Sequence, residues 1–498
     1  MDSTNAQLLD IVIVGAGISG ISAACHLRTQ CPEKRYRIVE SRENIGGTWD
    51  LFRYPGIRSD SDMHTFGFKF KPWTRAKTIS DGPSILEYLN ETIDEYTVRD
   101  NIDFGRRVIS ARWLSDESVW MTVAQDRDGN ETQYRSRLLF MCSGYYRYSE
   151  GYTPDFPGLE EFAGTVVHPQ LWPENLDYSK KRVAVIGSGA TAVTLIPALA
   201  EKASHVTMVQ RSPTYIVSMP SRDRLANLLN RLLPAAWAYA ITRWRNIRFQ
   251  NYFYKQAIEK PAKVRTYILN RLRKALKPEI DVEKHFSPSY DPWTQRLCLV
   301  PDSDLFRALN SGKADVVTGI IARITSDSIE MQDGVCIKAD MLVTATGIQL
   351  ELLGGVKFFI DEQKLDFSQR FFYQGMMFSG VPNLIQTFGY INASWTLRAD
   401  LNSEFVCALL KRMDATGANQ CVPVLRDFEL AMTAQDWVTD FNPGYFKRGN
   451  HLFPKQGAHA PWQNTQDYLM DLKLLAGGPP DDGVLQFQNA GKAEAAGH

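Results

Sequence analysis

Two glycine-rich stretches, Gly15-Ala16-Gly17-Ile18-Ser19-Gly20 and Gly187-Ser188-Gly189-Ala190-Thr191-Ala192, have the spacing that cradles a pyrophosphate. The first glycine of each (Gly15, Gly187) permits a tight bend. The second (Gly17, Gly189) lets backbone approach the phosphates, and the third place (Gly20, Ala192) lets helix and strand pack closely. The helix that follows offers free amides and a partial positive charge. What lies beyond the two turns differs. Glu40, 25 positions after Gly15, can accept hydrogen bonds from a ribose. The matching place after the second turn holds no acid; Arg211 stands 24 positions after Gly187, followed by Ser212. A carboxylate there repels a 2′-phosphate, whereas a guanidinium pairs with it through its fork, so the second turn is read as an NADPH site. A polar pair, Arg58 and Asp60, follows the rigid turn Tyr54-Pro55-Gly56.

These groups need strands and helices to hold them. Residues 8–14 form a β-branched apolar run, the pattern of a buried parallel strand, and lead straight into the first turn. A helical pattern covers 18–28 and a second strand 36–40. The arrangement repeats at 182–186 and 205–209 around the second turn. Between the two units, 84–96 reads as a helix behind Pro83. Residues 108–113, 119–124 and 134–142 read as strands, with a polar turn at 126–130. Residues 143–180 are rich in Tyr, Pro and Gly and read as a linker. Its lone histidine, His168, is expected to make a structural hydrogen bond. Phe162 and Trp172 are read as its anchors, and Gly164 as its turn. From 222 to 277 the pattern is helical, with fourteen Lys or Arg against two acids, Asp223 and Glu259. Aromatic and apolar side chains interleave with those charges. The favoured reading is a helical insertion packing over the nucleotide domain. A membrane-surface patch is the second reading, and nucleic-acid binding the least favoured. Asn392-Ala393-Ser394 reads as an N-cap aimed at a bound cofactor.

The chain has 498 residues, enough for two or three domains, and its formal net charge is zero. It offers no long-range pull on nucleic acid. Its seven cysteines are scattered and form no C-x-x-C pair, so neither a disulfide scaffold nor a zinc site is expected, and no metal is assigned. The polar N-terminus carries no signal-peptide pattern. The longest apolar candidate, 232–242, is too short to span a bilayer and is flanked by Arg231 and Arg243. A cytoplasmic enzyme is expected, as monomer or dimer, with peripheral membrane contact through 220–277 left open.

The linker segment 162–173 has the spacing F-x-G-x-x-x-H-x-x-x-W-P, and 46–60 has G-G-x-W-x-x-x-x-Y-P-G-x-x-x-D. Both resemble the fingerprints of type I Baeyer–Villiger monooxygenases, with every defining position present. Judged by 54–66, 293–298 and 389–396, the likeness is strongest to the ethionamide-activating branch. The Ala345-Thr346-Gly347 stretch resembles the return from the NADPH domain to the FAD domain in these flavoproteins. The resemblance implies an α/β fold with two Rossmann-like dinucleotide-binding domains, one a glutathione-reductase-like FAD domain and the other an NADP domain, plus a helical insertion. The boundaries expected are 1–143 and 345–475 for FAD, 144–180 for the linker, 181–219 and 288–344 for NADP, 220–287 for the insertion and 476–498 for a disordered tail.

The first turn is thereby assigned to FAD, with Gly15, Gly17, Ser19, Gly20, Glu40, Gly47, Thr48, Trp49, Asp60, Phe66, Val108 and Asn392 as its contacts. Trp49 stands where disulfide reductases carry a redox cysteine, so a thiol relay is not expected. NADPH is assigned to Gly187, Ser188, Gly189, Ala190, Thr191, Ala192, Arg211 and Ser212. Arg296 is the match to the arginine that reaches over the flavin, with Asp60 holding it by charge and Arg58 touching the nicotinamide. A permanent cation there would stabilise developing oxyanions. The implied activity is insertion of one atom of O2 beside a ketone carbonyl, giving an ester or lactone. Oxidation of an organosulfur substrate is the side activity. Alternatives are a flavin monooxygenase acting on nitrogen or sulfur, and a flavoprotein oxidase or redox-sensing flavin module.

Overall fold

The computed structural model describes residues 7–439 and 441–489. Its first sheet is built around β1 (Leu8–Val14). Ile11, Val12 and Ile13 have no exposed surface, so this strand is covered on both faces. Burial of such side chains contributes about 1.5–3 kcal/mol each. The helix α1 (Ile18–Gln30) follows, and β2 (Tyr36–Val39) pairs parallel with β1. Two short helices, α2 (Thr48–Leu51) and α3 (Met63–Phe66), come next. Then comes α4 (Gly82–Glu95), with Asp81 capping its first turn and Pro83 in it. After β3 (Ile102–Asp103), a meander runs through β4 (Arg107–Leu114), β5 (Val119–Gln125) and β6 (Glu131–Met141). The long β6 serves three ladders: its first half pairs antiparallel with β5, and its second half pairs parallel with β1 and with the strand Leu384–Gln386. The meander is thus an offshoot of the nucleotide-binding sheet, as expected from the sequence.

The chain leaves this sheet through β7 (Tyr146–Gly151) and returns through Ile348–Leu350, and the two pair antiparallel. Between these crossings lies a second, parallel sheet. It holds β8 (Thr165–Val167), β9 (Arg182–Ile186) and β10 (His205–Gln210), with Met341–Thr344 between β8 and β9, and Ala314–Thr318 outside β10. The helix α5 (Ala190–Leu199) follows the second glycine turn. The reading of 144–180 as a linker alone is corrected here. Its residues 165–167 are an edge strand of the second sheet, and Phe162 packs into the core beside Ala184 and Ile186.

The basic segment folds as α6 (Arg224–Leu232), α7 (Ala235–Glu259) and α8 (Pro261–Ala275). The expectation that it packs over the nucleotide domain alone is too narrow. Val264, Ile268, Leu269 and Leu272 of α8 do join the core of the second sheet. The α7 helix, however, lies on the first domain. The buried Arg243 donates to the carbonyls of His64, Thr65 and Gly67 at 2.9, 3.1 and 2.8 Å, and Tyr239 donates to Phe68 at 2.9 Å. A cation thus caps the carbonyl end of α3. The tail is also corrected. Leu485–Gln488 is a strand that pairs antiparallel with Gln420–Pro423, because Val484 and Leu485 bury against the first core. The remainder, 490–498, lies outside the described residues.

Candidate functional site

Both glycine turns open onto one cavity of about 1940 Å3. That is about twice the ~1,000 Å3 upper end of pockets for single small ligands. Gly17, Ser19, Gly47, Thr48, Trp49 and Phe66 line one side. Gly187, Ser188, Gly189, Ala190, Thr191, Arg211 and Ser212 line the other. The bare backbone leaves room where phosphates would lie: a Cβ on Gly189 would meet nothing within 4 Å, and one on Gly17 only Gly47, at 3.7 Å. Gly20 serves packing instead. A Cβ there would fall 1.9 Å from the Gly15 carbonyl oxygen. The residues present therefore fit two dinucleotides.

Five assigned contacts are not on the cavity wall. Gly15, Gly20 and Ala192 shape the turns from behind. Val108 lies buried within β4, where its side chain packs into the core beside Val14 and Val39. Glu40 is buried too, and its carboxylate accepts from the Ala16 amide at 2.6 Å and the Arg42 amide at 2.9 Å. Burial raises its pKa, and those amides oppose the rise. In this structure Glu40 braces the turn through those two amides.

Arg296 lines the cavity, about one-third exposed into it. It donates to the Ile391 carbonyl at 2.9 Å and forms an ion pair with Asp60. Burial opposes its charge, but the Asp60 carboxylate beside it outweighs that, and its pKa is raised. It is a fixed, permanently charged donor. Arg58 does not join it. Its guanidinium is turned away into an ion pair with Asp304, so the expected contact with a nicotinamide is corrected. The turn that carries this pair is clamped between domains: Gly56 has φ +79°, and a Cβ there would sit 2.9 Å from the Thr194 carbonyl oxygen of α5.

The helix Trp395–Thr416 starts at the cavity, with Asn392, Ala393, Ser394 and Trp395 on its wall. Ser394 holds the N-cap position without making the capping bond. Its hydroxyl pairs with Thr65 at 2.7 Å instead. Trp395 donates to Ser19 at 2.7 Å, tying this end to the first turn.

The linker motif works as a joint. His168 Nδ1 accepts from the Gln170 amide at 3.2 Å, so its proton sits on Nε2, which donates to the Gly347 carbonyl at 3.1 Å. Burial lowers its pKa. A Cβ on Gly164 would fall 2.4 Å from the Asp340 carbonyl oxygen, which explains the glycine. Phe162 and Trp172 are buried as anchors.

Several wall residues were not singled out from the sequence. Tyr145 and Tyr146 share a hydroxyl–hydroxyl bond of 2.9 Å, and Tyr145 stacks on Trp395 at 5.3 Å. Tyr445 comes from a distant segment. Burial raises all three pKa values, so they remain O–H donors near Arg296. Lys260, Lys263 and Arg271 line the same cavity as Arg211. Their only sequence signal was the basic run itself. Among the described residues no cluster suited to a metal is found, and no helix is long and apolar enough to cross a membrane.

Residues 78–285 match a model described as "Flavin-binding monooxygenase-like", and 13–81 match an NAD(P)-binding Rossmann-like domain. The chain is 51% identical over 480 residues to the FAD-containing monooxygenase EthA of Mycobacterium tuberculosis, covering 96% of this chain and 97% of that protein. It is 47% identical to the probable FAD-binding monooxygenase AlmA of Acinetobacter baylyi, covering 96% of each. Among solved structures, an oxidized steroid monooxygenase bound to NADP superposes with a TM-score of 0.70 at 24% identity, over 84% of this chain and 88% of that one. A cyclohexanone monooxygenase from Rhodococcus sp. Phi1 bound to NADP+ gives 0.69 at 23%, over 84% and 87%. These two establish the shared fold.

Proposed function

The chain belongs to the family of FAD-containing monooxygenases that includes EthA, and on that footing we propose that it works as a type I Baeyer–Villiger enzyme, oxidising small apolar ketones to esters or lactones. Organosulfur oxidation is the second activity of the same site. The enzyme is an FAD-containing monooxygenase that uses NADPH. One observation carries the finer reading: a permanently charged arginine, anchored at two points, stands on the wall of a single cavity shared by both phosphate-binding turns.

When bound and reduced, the flavin supplies activation of O2. The chain's own residues do the rest. The amides behind Gly17 and Gly189 would hold the phosphates, and Arg211 with Ser212 would hold the 2′-phosphate. Arg296 is placed to stabilise negative charge developing on the substrate carbonyl oxygen, and a guanidinium does so without risk of losing its proton. Asp60 and the Ile391 carbonyl hold the fork in one orientation. Trp49, Phe52, Trp395 and the tyrosines give that part of the wall a largely apolar lining, which strengthens the electrostatic effect. Nothing on this wall is a nucleophilic thiolate, since burial holds the Cys142 thiol protonated.

The test is product analysis under 18O2 with linear ketones, cyclic ketones and a thioether. Ester or lactone carrying one labelled oxygen is expected. Labelled sulfoxide with no ester from any ketone would favour the nitrogen- or sulfur-oxidising reading, and H2O2 alone would favour an oxidase.

A further inference from the structure

The tip of the helical insertion carries an exposed run, Arg231-Leu232-Leu233-Pro234-Ala235-Ala236-Trp237, at the turn from α6 into α7. Leu232 and Trp237 are each 70% exposed. The pattern continues on both helices. Leu225, Leu228 and Leu232 lie three and four apart on α6; Trp237, Ile241 and Trp244 lie four and three apart on α7. Each set therefore shares one helix face, and all six are exposed. The other face of α7 is anchored, through Ala238, Tyr239, Thr242 and Arg243. This insertion has a packed side and an apolar side that none of the described residues covers.

We propose that the α6–α7 tip seats the enzyme on an anionic membrane surface, with Leu232 and Trp237 inserted among the lipids and the flanking arginines on the headgroups. Charge complementarity selects this occupant. Arg222, Arg224, Arg231 and Arg248 are exposed along these helices, and none has an acidic ion-pair partner among the described residues. Of the two acids in 222–277, Asp223 caps α6 and pairs with Arg245, and Glu259 stands at the far end of α7. Arg248 lies over the Trp244 ring at 4.7 Å, holding an aromatic face and a cation together. An apolar tip ringed by cations, with an indole at its shoulder, has the composition of an interfacial anchor. The patch also runs into the cavity: Leu225, Arg222 and Arg224 belong to both. An apolar substrate dissolved in the leaflet would then meet the cavity wall without crossing water. That route rests on the proposed reaction, whereas the seat itself does not.

The experiment is flotation of the FAD-loaded enzyme with phosphatidylcholine vesicles, with and without about one-third phosphatidylglycerol. Binding to the anionic vesicles is expected, with weak binding to the neutral ones and loss at high salt. L232E/W237E and R231E/R248E should each weaken anionic-vesicle binding by at least about tenfold. Both should retain flavin and oxidise a water-soluble substrate at the wild-type rate, because none of the four side chains lines the cavity. Wild-type enzyme that stays unbound at low salt would overturn the proposal. So would variants that float as well as wild type, or a wild-type oligomer that L232E/W237E converts to monomer without altering flotation.

Discussion

Asp60 and Arg296, 236 positions apart, meet side chain to side chain on the cavity wall. Asp60 comes from the turn region following α2, and Arg296 from the chain entering the strand Cys298–Pro301. The contact joins the two dinucleotide-binding units where their glycine turns face each other. It also removes a degree of freedom: with Nη2 on Asp60 and Nη1 on Ile391, the guanidinium cannot swing without breaking two bonds.

Arg296→Ala should leave FAD content and NADPH-driven flavin reduction near wild type while oxygen transfer to ketone falls by about 10²–10³. That corresponds to the roughly 2.7–4 kcal/mol lost when one such donor is removed. Arg296→Lys should recover little, since one ammonium nitrogen cannot stand in for the two separated guanidinium nitrogens that reach Ile391 and Asp60. Stopped-flow reduction alongside ester quantification separates the two steps. Ester formation at the wild-type rate in Arg296→Ala would remove this residue from the mechanism.

Arg211→Ala should raise KM for NADPH by roughly ten- to a hundredfold, from the ~1.5–3 kcal/mol of a charged hydrogen bond, and leave NADH nearly unchanged. Lys263→Ala should shift the same ratio in the same direction by less, because it shares the wall but not the strand-end position. The check is the NADPH-to-NADH ratio of kcat/KM. Equal losses for both cofactors would contradict a 2′-phosphate grip.

The two second- and third-place glycines should behave differently when given a methyl group. Gly189→Ala should fold and melt like wild type, because its Cβ has open space, yet bind NADPH more weakly. Gly20→Ala has no such room. With the Gly15 oxygen 1.9 Å away, α1 must shift from β1, so flavin content and Tm should both drop. Flavin absorbance and thermal melts of the two variants test the contrast. A Gly20→Ala protein with full flavin and an unchanged Tm would refute it.

What was legible in the sequence was local. The glycine turns, the strands feeding them and Arg211 are set by spacing within about thirty residues, and each lies where that spacing implies. Arg296, Asp60 and the linker motif were legible through resemblance, and the structure places Arg296 beside Asp60. What failed was decided by contacts between distant segments. Arg58 turns to Asp304 instead of the cavity, a choice made by a partner 246 positions away rather than by its own turn. The edge strand at 165–167 is only three residues long, too short for an alternation to register. The strand Leu485–Gln488 sits behind a Gly- and Pro-rich stretch that resembles a free tail, and only its partner at Gln420–Pro423 makes it a strand. Arg243 looked like one more charge in a basic run, yet it is buried under three carbonyls.

His168 gives a pH prediction with a definite sign. Burial lowers its pKa below the ordinary value of 6.5, so the folded protein favours the neutral ring. The unfolded chain binds a proton first as pH falls. Stability from this site is therefore full above about pH 6.5 and declines as the pH drops from there toward the folded pKa. The geometry gives the reason: protonation puts a hydrogen on Nδ1, which now accepts from the Gln170 amide, and two donors then face each other. The cost is that of a lost buried hydrogen bond, about 1–3 kcal/mol, placed at the joint between the two crossings. His168→Gln cannot titrate and can still donate to the Gly347 carbonyl. Its Tm should lie below that of wild type at neutral pH, and the gap should narrow as the buffer is taken from pH 7 toward 5. Parallel Tm curves across that range would show that His168 does not titrate on unfolding and would cancel this assignment of the joint.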